Sequence, residues 1–327
     1  MLPFGYVAAG DAAGATELVA QTAEAMFIAG GTDMLQLLRE AVIAPSVLID
    51  ISRLPCRGIA AEGDGLRIGA LTCLADVADD TRVQREFPVL AQALNETASP
   101  QVRNMATVGG NLLQRTRCLY FRDAAVPCNK REPGSGCPAQ DGQNRVNAIL
   151  GGSAHCIAAY PGDLANALIV LDAELVLHGR DGERRMRVEA LHREPGDTPQ
   201  IETNLREGDI ITAVVLPATA RSGNSHYLKL RDRASFEWAL VSAAAAVEIT
   251  DGAVRSVRVA AGGVGTRPWR LVEVERLLLG RRLDGAMALT AAEVAPRAAD
   301  PRPGNAFKVP LLQRAIERVL RMAGGLA

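Results

Sequence analysis

The N-terminal part of the chain alternates between helical and extended patterns of hydrophobic and polar positions. Apolar residues recur at helical spacing over 11–25 and 33–41, whereas 26–29 and 46–52 are short, continuous apolar runs. Runs of this length, bounded by glycine or polar residues, are typical of buried strands. The succession of these segments predicts a compact β-α-β unit whose two strands are parallel.

The middle of the chain continues this mixed pattern. Pro88 starts one helix, a position that proline favours, and residues 180–183 form the turn of a predicted β-hairpin. In chain order the sequence predicts a strand over 65–71, a helix over 88–98, a glycine turn over 107–114, a cysteine-containing segment without periodicity over 115–156, a helix over 162–173, hairpin strands over 174–179 and 184–190, and a strand over 209–217.

The last third of the chain has a different pattern, in which strands come first and helices follow. Residues 218–225 are small and polar, which is typical of a linker, and a domain boundary is predicted near residue 220. Asp251-Gly252 is a favoured turn sequence for a β-hairpin. Strands followed by helices indicate an α+β layer. The sequence predicts strands over 226–233, 239–250 and 253–264, and helices over 271–280, 289–299 and 311–324.

The composition is that of an ordinary globular protein and argues against several classes of function. The 327 residues suit two domains, and 48% of them are hydrophobic while 22% are charged. A formal net charge of −1 and an aromatic content of 4% give no basis for nucleic-acid binding. No apolar run is long enough to span a bilayer. The N-terminal sequence lacks the basic start and the apolar stretch of a signal peptide.

Two glycine turns are candidates for binding phosphate groups. The first, over 26–34, ends a predicted strand with Gly30-Gly31 and opens a helix at Asp33. Glycine lets the backbone approach a ligand closely, and free N–H groups at the start of a helix suit a phosphate. The spacing is not the GxGxxG of the Rossmann fingerprint, and the turn also has a purely structural interpretation with Asp33 as the helix N-cap. A second such turn, over 107–114, favours a dinucleotide with two phosphates.

The chain has six cysteines, and four of them lie in or beside the segment over 115–156. Structural zinc sites usually use CxxC pairs, because two ligands from one tight turn lower the cost of loop closure. None of the four belongs to such a pair, and single, widely spaced cysteines suit a larger group such as a [4Fe-4S] cluster. His155 is interpreted as a hydrogen-bonded neighbour of the site. The four cysteines are Cys118, Cys128, Cys137 and Cys156.

Positive side chains accompany these cysteines. A cluster bound by four thiolates is anionic, so nearby cations and backbone N–H groups would stabilise it. At this level three interpretations stay open: an iron–sulfur cluster, a zinc site, or thiols that are unligated or paired in disulfides. The cations of the segment are Arg115, Arg117, Arg122, Lys130, Arg131 and Arg145.

Several motifs in order resemble the FAD-binding medium subunit, or domain, of the molybdenum hydroxylases, the xanthine dehydrogenase family. They are FIAGGTDML, LIDIS, LRIGALT, TVGGNLLQ and PGDLANAL followed by LDA. The segments LKLRDRASFEWALVSAAAAVE and VAAGGVGTRPWR resemble the C-terminal flavoprotein domain of the same family. The cysteine segment, with LLQRTRCLYFRD, PCNKREPGSGC and HCIA, is similar to that of the FAD subunit of bacterial periplasmic aldehyde oxidoreductases, which hold an additional four-iron cluster.

The resemblance implies an α+β fold. A FAD-binding domain of the vanillyl-alcohol-oxidase (PCMH) type, with two subdomains, would span 1–220, and a C-terminal α+β flavoprotein domain would span 221–327. FAD would lie between the two subdomains and the C-terminal domain. One departure is Gly162, where relatives often have serine. The implied cluster ligands are Cys118, Cys128, Cys137 and Cys156. The implied FAD-binding residues are Met26, Phe27, Ile28, Ala29, Gly30, Gly31, Thr32, Asp33, Met34, Thr107, Gly110, Asn111, Asp163, Leu216 and Lys229.

The resemblance further implies an oxidoreductase subunit that transfers electrons. A large partner subunit would oxidise an aldehyde to a carboxylic acid at a molybdenum cofactor, and a small partner subunit with [2Fe-2S] clusters would pass the electrons to FAD in this chain. An external acceptor would receive them, and no catalytic residue is assigned to this chain. We expect a cytoplasmic heterotrimer, or a periplasmic one exported with a signal-bearing partner. The alternatives are a self-standing FAD-dependent oxidoreductase and a zinc-stabilised nucleotide-binding module.

Overall fold

Three β-sheets organise the part of the chain that the structure describes. The computed structural model describes residues 1–220 and 224–326, and residues 221–223 of the predicted linker lie outside them, so the boundary near residue 220 stays a prediction. None of the helices in the described residues is long and apolar enough to cross a membrane. The strands are β1 (Gly5–Ala8), β2 (Ala25–Ile28), β3 (Val47–Asp50), β4 (Ile59–Glu62), β5 (Gly65–Gly69), β6 (Glu174–Gly179), β7 (Gly182–Arg187), β8 (Ile210–Leu216), β9 (Ser225–Leu230), β10 (Val241–Thr250), β11 (Ala253–Gly262) and β12 (Trp269–Arg270).

Short helices connect most of the strands, and the longest helix comes last. Single 3₁₀ turns add Val188–Ala190 and Ala218–Ala220. The α-helices are α1 (Ala12–Gln21), α2 (Met34–Arg39), α3 (Leu74–Asp79), α4 (Thr81–Glu86), α5 (Pro88–Asn95), α6 (Pro100–Arg103), α7 (Val108–Leu112), α8 (Leu119–Arg122), α9 (Leu164–Val170), α10 (Val272–Leu278), α11 (Gly285–Ala292) and α12 (Lys308–Ala323).

The N-terminal unit is a three-stranded parallel sheet in the order β1-β3-β2. It confirms the predicted β-α-β unit, because β2 and β3 pair in parallel. The sequence does not predict β1, since three of its four residues are exposed and it shows no apolar alternation. Helix α1 begins after Asp11, whose carboxylate accepts the N–H of Gly14 at 2.7 Å, and it buries Ala15 and Val19 against the sheet.

The second unit is a five-stranded antiparallel sheet in the order β4-β5-β8-β6-β7. Helices α3 to α5, α7 and α9 share one hydrophobic core with it. The predicted hairpin is confirmed, because Gly179 pairs with Gly182 across its turn. Helix α9 is shorter than the predicted 162–173 and is buried along its whole length, in agreement with its continuous apolar sequence.

The C-terminal unit is a four-stranded antiparallel sheet in the order β12-β11-β10-β9, whose core includes α10 to α12. Asp251 and Gly252 have φ values of 53° and 77°, as a type I′ turn requires, and they join β10 to β11 as predicted. The helix predicted over 289–299 begins earlier, as α11, because the Asp284 carboxylate caps it by accepting a backbone N–H at 2.9 Å. Strands and helices therefore form the α+β layer that the sequence indicates.

Lys308, at the start of α12, is fully buried, an unusual place for a lysine. Its ammonium nitrogen donates to the backbone oxygens of Asn147 at 2.9 Å and Gly263 at 2.7 Å, so it ties the last helix to two loops. Burial, with a smaller contribution from Arg145, lowers the pKa of Lys308 to about 7. The neutral amine is therefore the main form of this side chain in the folded protein above that pH.

We expect the wild-type protein to gain stability relative to Lys308→Met as the pH rises above about 7. An unfolded lysine keeps its proton up to about pH 10.4, so between the two pKa values the unfolded state binds more protons and the free energy of unfolding rises with pH. The difference in the free energy of unfolding between wild type and Lys308→Met should change by up to about 1.4 kcal/mol per pH unit. Urea unfolding at about pH 7 and about pH 9 measures it, and a constant difference would contradict the lowered pKa.

Candidate functional site

A cavity of about 570 Å³, here called the main cavity, is lined by residues from all three sheet units. Leu216 is not among the residues that line it: this side chain is fully buried on β8, which pairs with β5, and its contact with a flavin ring stays a prediction. The sequence-predicted FAD residues that the structure brings together around the cavity are Met26, Phe27, Ile28, Ala29, Gly30, Gly31, Thr32, Asp33, Met34, Thr107, Gly110, Asn111, Asp163 and Lys229.

The first glycine turn presents backbone N–H groups at the cavity wall. At Gly30 a Cβ atom would lie 1.9 Å from the backbone oxygen of Met105, so the turn packs directly on that segment. Gly31 has a φ of 70°, in the left-handed region that favours glycine. The backbone N–H groups of Gly31, Thr32 and Asp33 donate no hydrogen bond to any described residue. Unpaired donors in one turn are suited to binding a phosphate group.

Asp33 is the N-cap residue of α2, as its sequence position predicts, but its side chain makes no capping hydrogen bond. Its carboxylate instead accepts hydrogen bonds from the Arg122 guanidinium at 2.9 Å and the Arg115 backbone N–H at 2.8 Å. It also forms an ion pair with Arg117 at 2.9 Å. Asp33 and Arg117 line the cavity and Arg122 lies behind them, so two guanidinium groups around one carboxylate give this group a net positive charge, which favours an anionic ligand nearby.

The second glycine turn leads into α7 and is held by its own threonine. The Thr107 hydroxyl accepts the backbone N–H of Gly110 at 3.2 Å and so acts as a helix N-cap. The side-chain oxygen of Asn111, another residue that lines the cavity, is buried without a hydrogen-bond partner among the described residues. Unpaired buried acceptors are rare, and a ligand that donates a hydrogen bond would satisfy this one.

Asp163 and Lys229 form a buried ion pair at the cavity, with 2.8 Å between the ammonium nitrogen and one carboxylate oxygen. The Tyr227 hydroxyl donates to the other carboxylate oxygen at 2.5 Å, and the Thr97 hydroxyl donates to the first at 3.2 Å. Lys229 also donates to the backbone oxygen of Glu96 at 3.0 Å. Burial, followed by the charge of Asp163, raises the pKa of Tyr227 well above its ordinary value, so Tyr227 stays a donor. The pair joins the second unit to strand β9.

Further residues of the cavity wall are not identified by sequence patterns, among them Arg115, Arg117, Phe236 and Trp238. The Arg117 guanidinium lies 4.6 Å from the centre of a Trp238 ring, a cation–π contact between the cysteine segment and the C-terminal unit. Burial lowers the pKa of Arg117 to about 10, and the charge of Asp33 opposes that effect. The sequence shows both arginines only as cations near cysteines, and nothing in it indicates that the loop after β9 reaches this cavity.

The four cysteines of the segment line a second and much smaller space, here called the thiol cavity. Asn147 Nδ2 donates to the sulfur of Cys118 at 3.4 Å, and the backbone N–H of Ala158 donates to the sulfur of Cys156 at 3.4 Å. The chain bends sharply around the cavity, with φ values of 88° at Gly134 and 110° at Gly136, as the glycine content suggests. The four cysteines are the buried Cys118, Cys128 and Cys156 and the partly buried Cys137.

Burial raises the pKa of Cys156 to about 11, an effect that the nearby Lys130 opposes, and burial also raises the pKa of Cys137. Such thiols stay protonated at neutral pH unless a metal displaces the proton. Among the described residues, no group of three or more His, Cys, Asp or Glu side chains is arranged to hold a metal ion. His155 borders the thiol cavity, but its ring nitrogen lies 3.5 Å from the carboxylate of Asp197.

Two family models together match nearly the whole chain. The FAD binding domain in molybdopterin dehydrogenase matches residues 2–219, a range that contains both glycine turns and the cysteine segment. The CO dehydrogenase flavoprotein C-terminal domain matches residues 226–323, which contain Lys229 and Trp238. The first match alone covers more than half of the chain and therefore shows the family.

Individual relatives agree with these matches. The chain is 44% identical over 301 residues, 91% of each protein, to the aldehyde oxidoreductase FAD-binding subunit PaoB of Escherichia coli (strain K12). It is 26% identical over 331 residues to the carbon monoxide dehydrogenase medium chain of Hydrogenophaga pseudoflava, covering 99% of this chain and 98% of that one. A solved structure of carbon monoxide dehydrogenase from Hydrogenophaga pseudoflava, which lacks the Mo-pyranopterin moiety of the molybdenum cofactor, matches with a TM-score of 0.78 at 25% identity over 99% of both chains. The α+β fold is thus confirmed, and the chain belongs to the family of FAD-binding flavoprotein subunits of the molybdenum hydroxylases.

Proposed function

We propose that this chain holds FAD in the main cavity and is the electron-transferring subunit of a molybdenum-dependent aldehyde oxidoreductase. The location of the flavin rests on one observation, namely that three features suited to a dinucleotide line a single cavity. They are the unpaired N–H groups of the first glycine turn, the ion pair of Asp33 with Arg117 and the unpaired side-chain oxygen of Asn111. The aldehyde assignment is supported by the 44% identity to the aldehyde oxidoreductase subunit PaoB, which extends over 91% of the chain.

The residues around the main cavity fit FAD. The turn at Gly31 to Asp33 supplies donors for the pyrophosphate, and Asn111 supplies an acceptor that needs a donor from the ligand. Asp163 and Lys229 form an ion pair in which the two charges neutralise each other. When it is bound, FAD accepts electrons and delivers them to an acceptor, and the protein supplies binding and electrostatic tuning.

The partners in this proposal are a large subunit with the molybdenum cofactor and a small subunit with [2Fe-2S] clusters. The similarity to the carbon monoxide dehydrogenase medium chain, over 99% of this chain, supports membership in such an assembly. The large subunit would oxidise the aldehyde, the small one would deliver electrons to this chain, and an external acceptor would take them. We place the complex in the cytoplasm, or in the periplasm if a partner carries an export signal.

Purification of the full chain with its copurifying subunits tests this function. We expect released FAD in the supernatant after denaturation, and flavin bleaching by an aldehyde under anaerobic conditions only when the partners are present. Flavin bleaching by the chain alone would favour the self-standing oxidoreductase. A colourless protein that contains zinc would favour the nucleotide-binding module, and both results would contradict the proposal.

The thiol cavity is the basis of a second proposal, namely that Cys118, Cys128, Cys137 and Cys156 bind a [4Fe-4S] cluster. Four cysteines around one buried space, with N–H donors to two of the sulfurs, support it. Four thiolates on one zinc ion, each about 2.3 Å from it, would lie within about 4 Å of one another. No group of described residues is arranged to hold a single metal ion of any kind. A cubane, with one thiolate on each iron, does not require the four sulfurs to surround one ion. We propose that this cluster has a mainly structural role.

Gly30→Ala should weaken FAD binding about tenfold or more, because the new Cβ atom would collide with the backbone oxygen of Met105 and displace the glycine turn. Overpacking of this kind costs about 1–3 kcal/mol. Gly10→Ala is the matched control, since nothing lies within 4 Å of a Cβ atom there. FAD dissociation constants from flavin fluorescence measure the effect, and equal constants for the two variants would argue against a flavin at this turn.

A further inference from the structure

Asp33 connects the glycine turn of the main cavity to the cysteine segment. It follows Gly31 by two positions, and its carboxylate accepts hydrogen bonds from Arg122 at 2.9 Å and from the Arg115 backbone at 2.8 Å. Arg117 completes the group at 2.9 Å. The side chains of Asp33, Arg117 and Arg122 are only 15%, 18% and 17% exposed, so water screens these contacts less than it screens surface ion pairs.

The arginine partners are held by the part of the segment that contains Cys118. Arg122 is the last residue of α8, and Cys118 immediately precedes this helix. Arg122 also donates to the backbone oxygens of Thr116 at 2.9 Å and Arg115 at 3.1 Å, so the stretch over 115–122 is one folded unit. A helix of four residues is not stable by itself. The position of Arg122 therefore depends on the anchors of this stretch, which are Cys118, the buried side chain of Phe121 and the hydrogen bonds from Arg131 to the backbone oxygens of Tyr120 and Phe121.

We propose that Asp33 is a positioning residue that couples the thiol cavity to FAD binding through Arg122. This inference rests on the proposed binding of FAD and of a [4Fe-4S] cluster. A cluster that fixes Cys118 fixes Arg122, which then holds Asp33 and the unpaired N–H groups of the glycine turn in place. Since the ordering cost of the turn is then already met, FAD binds more tightly to the cluster-loaded protein.

Substitution of Arg122 separates this coupling from direct effects on the flavin, because Arg122 does not line the main cavity whereas Asp33 does. Cys137→Ser serves as the cluster-free protein, since Cys137 is the one partly exposed member of the four. The FAD dissociation constant is measured by flavin fluorescence, with iron content in parallel, on the full chain and its copurifying subunits. Cys137→Ser is introduced into four backgrounds: wild type, Arg122→Gln, Asp33→Asn and Arg39→Gln. Arg39→Gln is the control, because the Arg39 side chain is 77% exposed on α2.

We expect Cys137→Ser to weaken FAD binding about fivefold or more in the wild-type and Arg39→Gln proteins, as in ordinary allosteric coupling. In Arg122→Gln and Asp33→Asn the same change should have a clearly smaller effect, since only the contacts of Arg115 and Arg117 with position 33 then remain at full or reduced strength. If Arg122→Gln itself loses iron, Asp33→Asn provides the test instead. The ratio of its FAD dissociation constants with and without Cys137→Ser cancels any direct effect of Asp33→Asn on the flavin. The coupling is overturned if Cys137→Ser changes the FAD dissociation constant by the same factor in all four backgrounds. It is also overturned if Cys137→Ser removes iron from the wild-type background but leaves the FAD dissociation constant unchanged. Wild-type protein that binds FAD without iron overturns the cluster proposal and the coupling together.

Discussion

With the proposed [4Fe-4S] cluster in the thiol cavity, replacing Cys118 with serine should remove nearly all iron from the protein. In a [4Fe-4S] cluster each iron takes one thiolate, so the loss of one ligand exposes an iron to solvent and destabilises the whole group. Cys118 is 7% exposed, and the site leaves little room for a substitute ligand. We expect iron to fall from about four atoms per chain to below about one, with loss of the visible absorbance of the cluster. Iron and acid-labile sulfide assays on anaerobically prepared protein give the result.

Cys56→Ser is the matched control for this substitution. Cys56 is a partly buried cysteine that lies outside the thiol cavity. Its variant should keep the iron and sulfide content of the wild type. Full iron content in Cys118→Ser would contradict a cluster held by the four cysteines, and one zinc per wild-type chain would point to a different metal site.

Sequence patterns predict the parts of this fold and site that depend on local chemistry. The first glycine turn can be predicted from the sequence because both positions require glycine: Gly31 adopts a positive φ, and the backbone of Met105 leaves no room for a side chain at Gly30. The hairpin at Asp251-Gly252 follows from the same kind of rule. Strands β1 and β4 are not predicted, because they are four residues long, have exposed positions and therefore lack a clear apolar alternation.

Contacts between distant segments could not be predicted in this way. Asp33 has the sequence position of a helix cap, yet its partners lie 82 to 89 residues further along the chain. Lys308 precedes the helix predicted over 311–324, and only the folded chain shows that it begins α12 and reaches two backbone oxygens in the core. At Gly162 a Cβ atom would lie 2.5 Å from the hydroxyl of Tyr160, a close approach that no sequence pattern indicates. Such facts depend on which elements pack together.

Lys229→Met should both destabilise the protein and weaken its hold on FAD. The substitution leaves the Asp163 carboxylate in the core, where its side chain is 4% exposed, without the cation that balances it. Removing one partner of a buried ion pair typically costs about 3–5 kcal/mol. The hydrogen bonds from Tyr227 and Thr97 offset only part of this cost, since neither residue carries a positive charge. Because Trp238 and Trp269 both lie in the C-terminal half, tryptophan fluorescence during urea unfolding reports on the affected unit.

The double variant Asp163→Asn/Lys229→Met separates the two consequences. With both charges gone, no unpaired ion stays buried, and much of the lost free energy of unfolding should return. FAD binding should stay weak, because both residues line the main cavity and the ligand loses two polar neighbours. Recovery of stability together with full FAD affinity would mean that the pair supports the fold but does not contact the flavin. An unchanged urea midpoint in Lys229→Met alone would show that the ion pair contributes little, and the link between α9 and β9 would then depend on Tyr227 and hydrophobic packing.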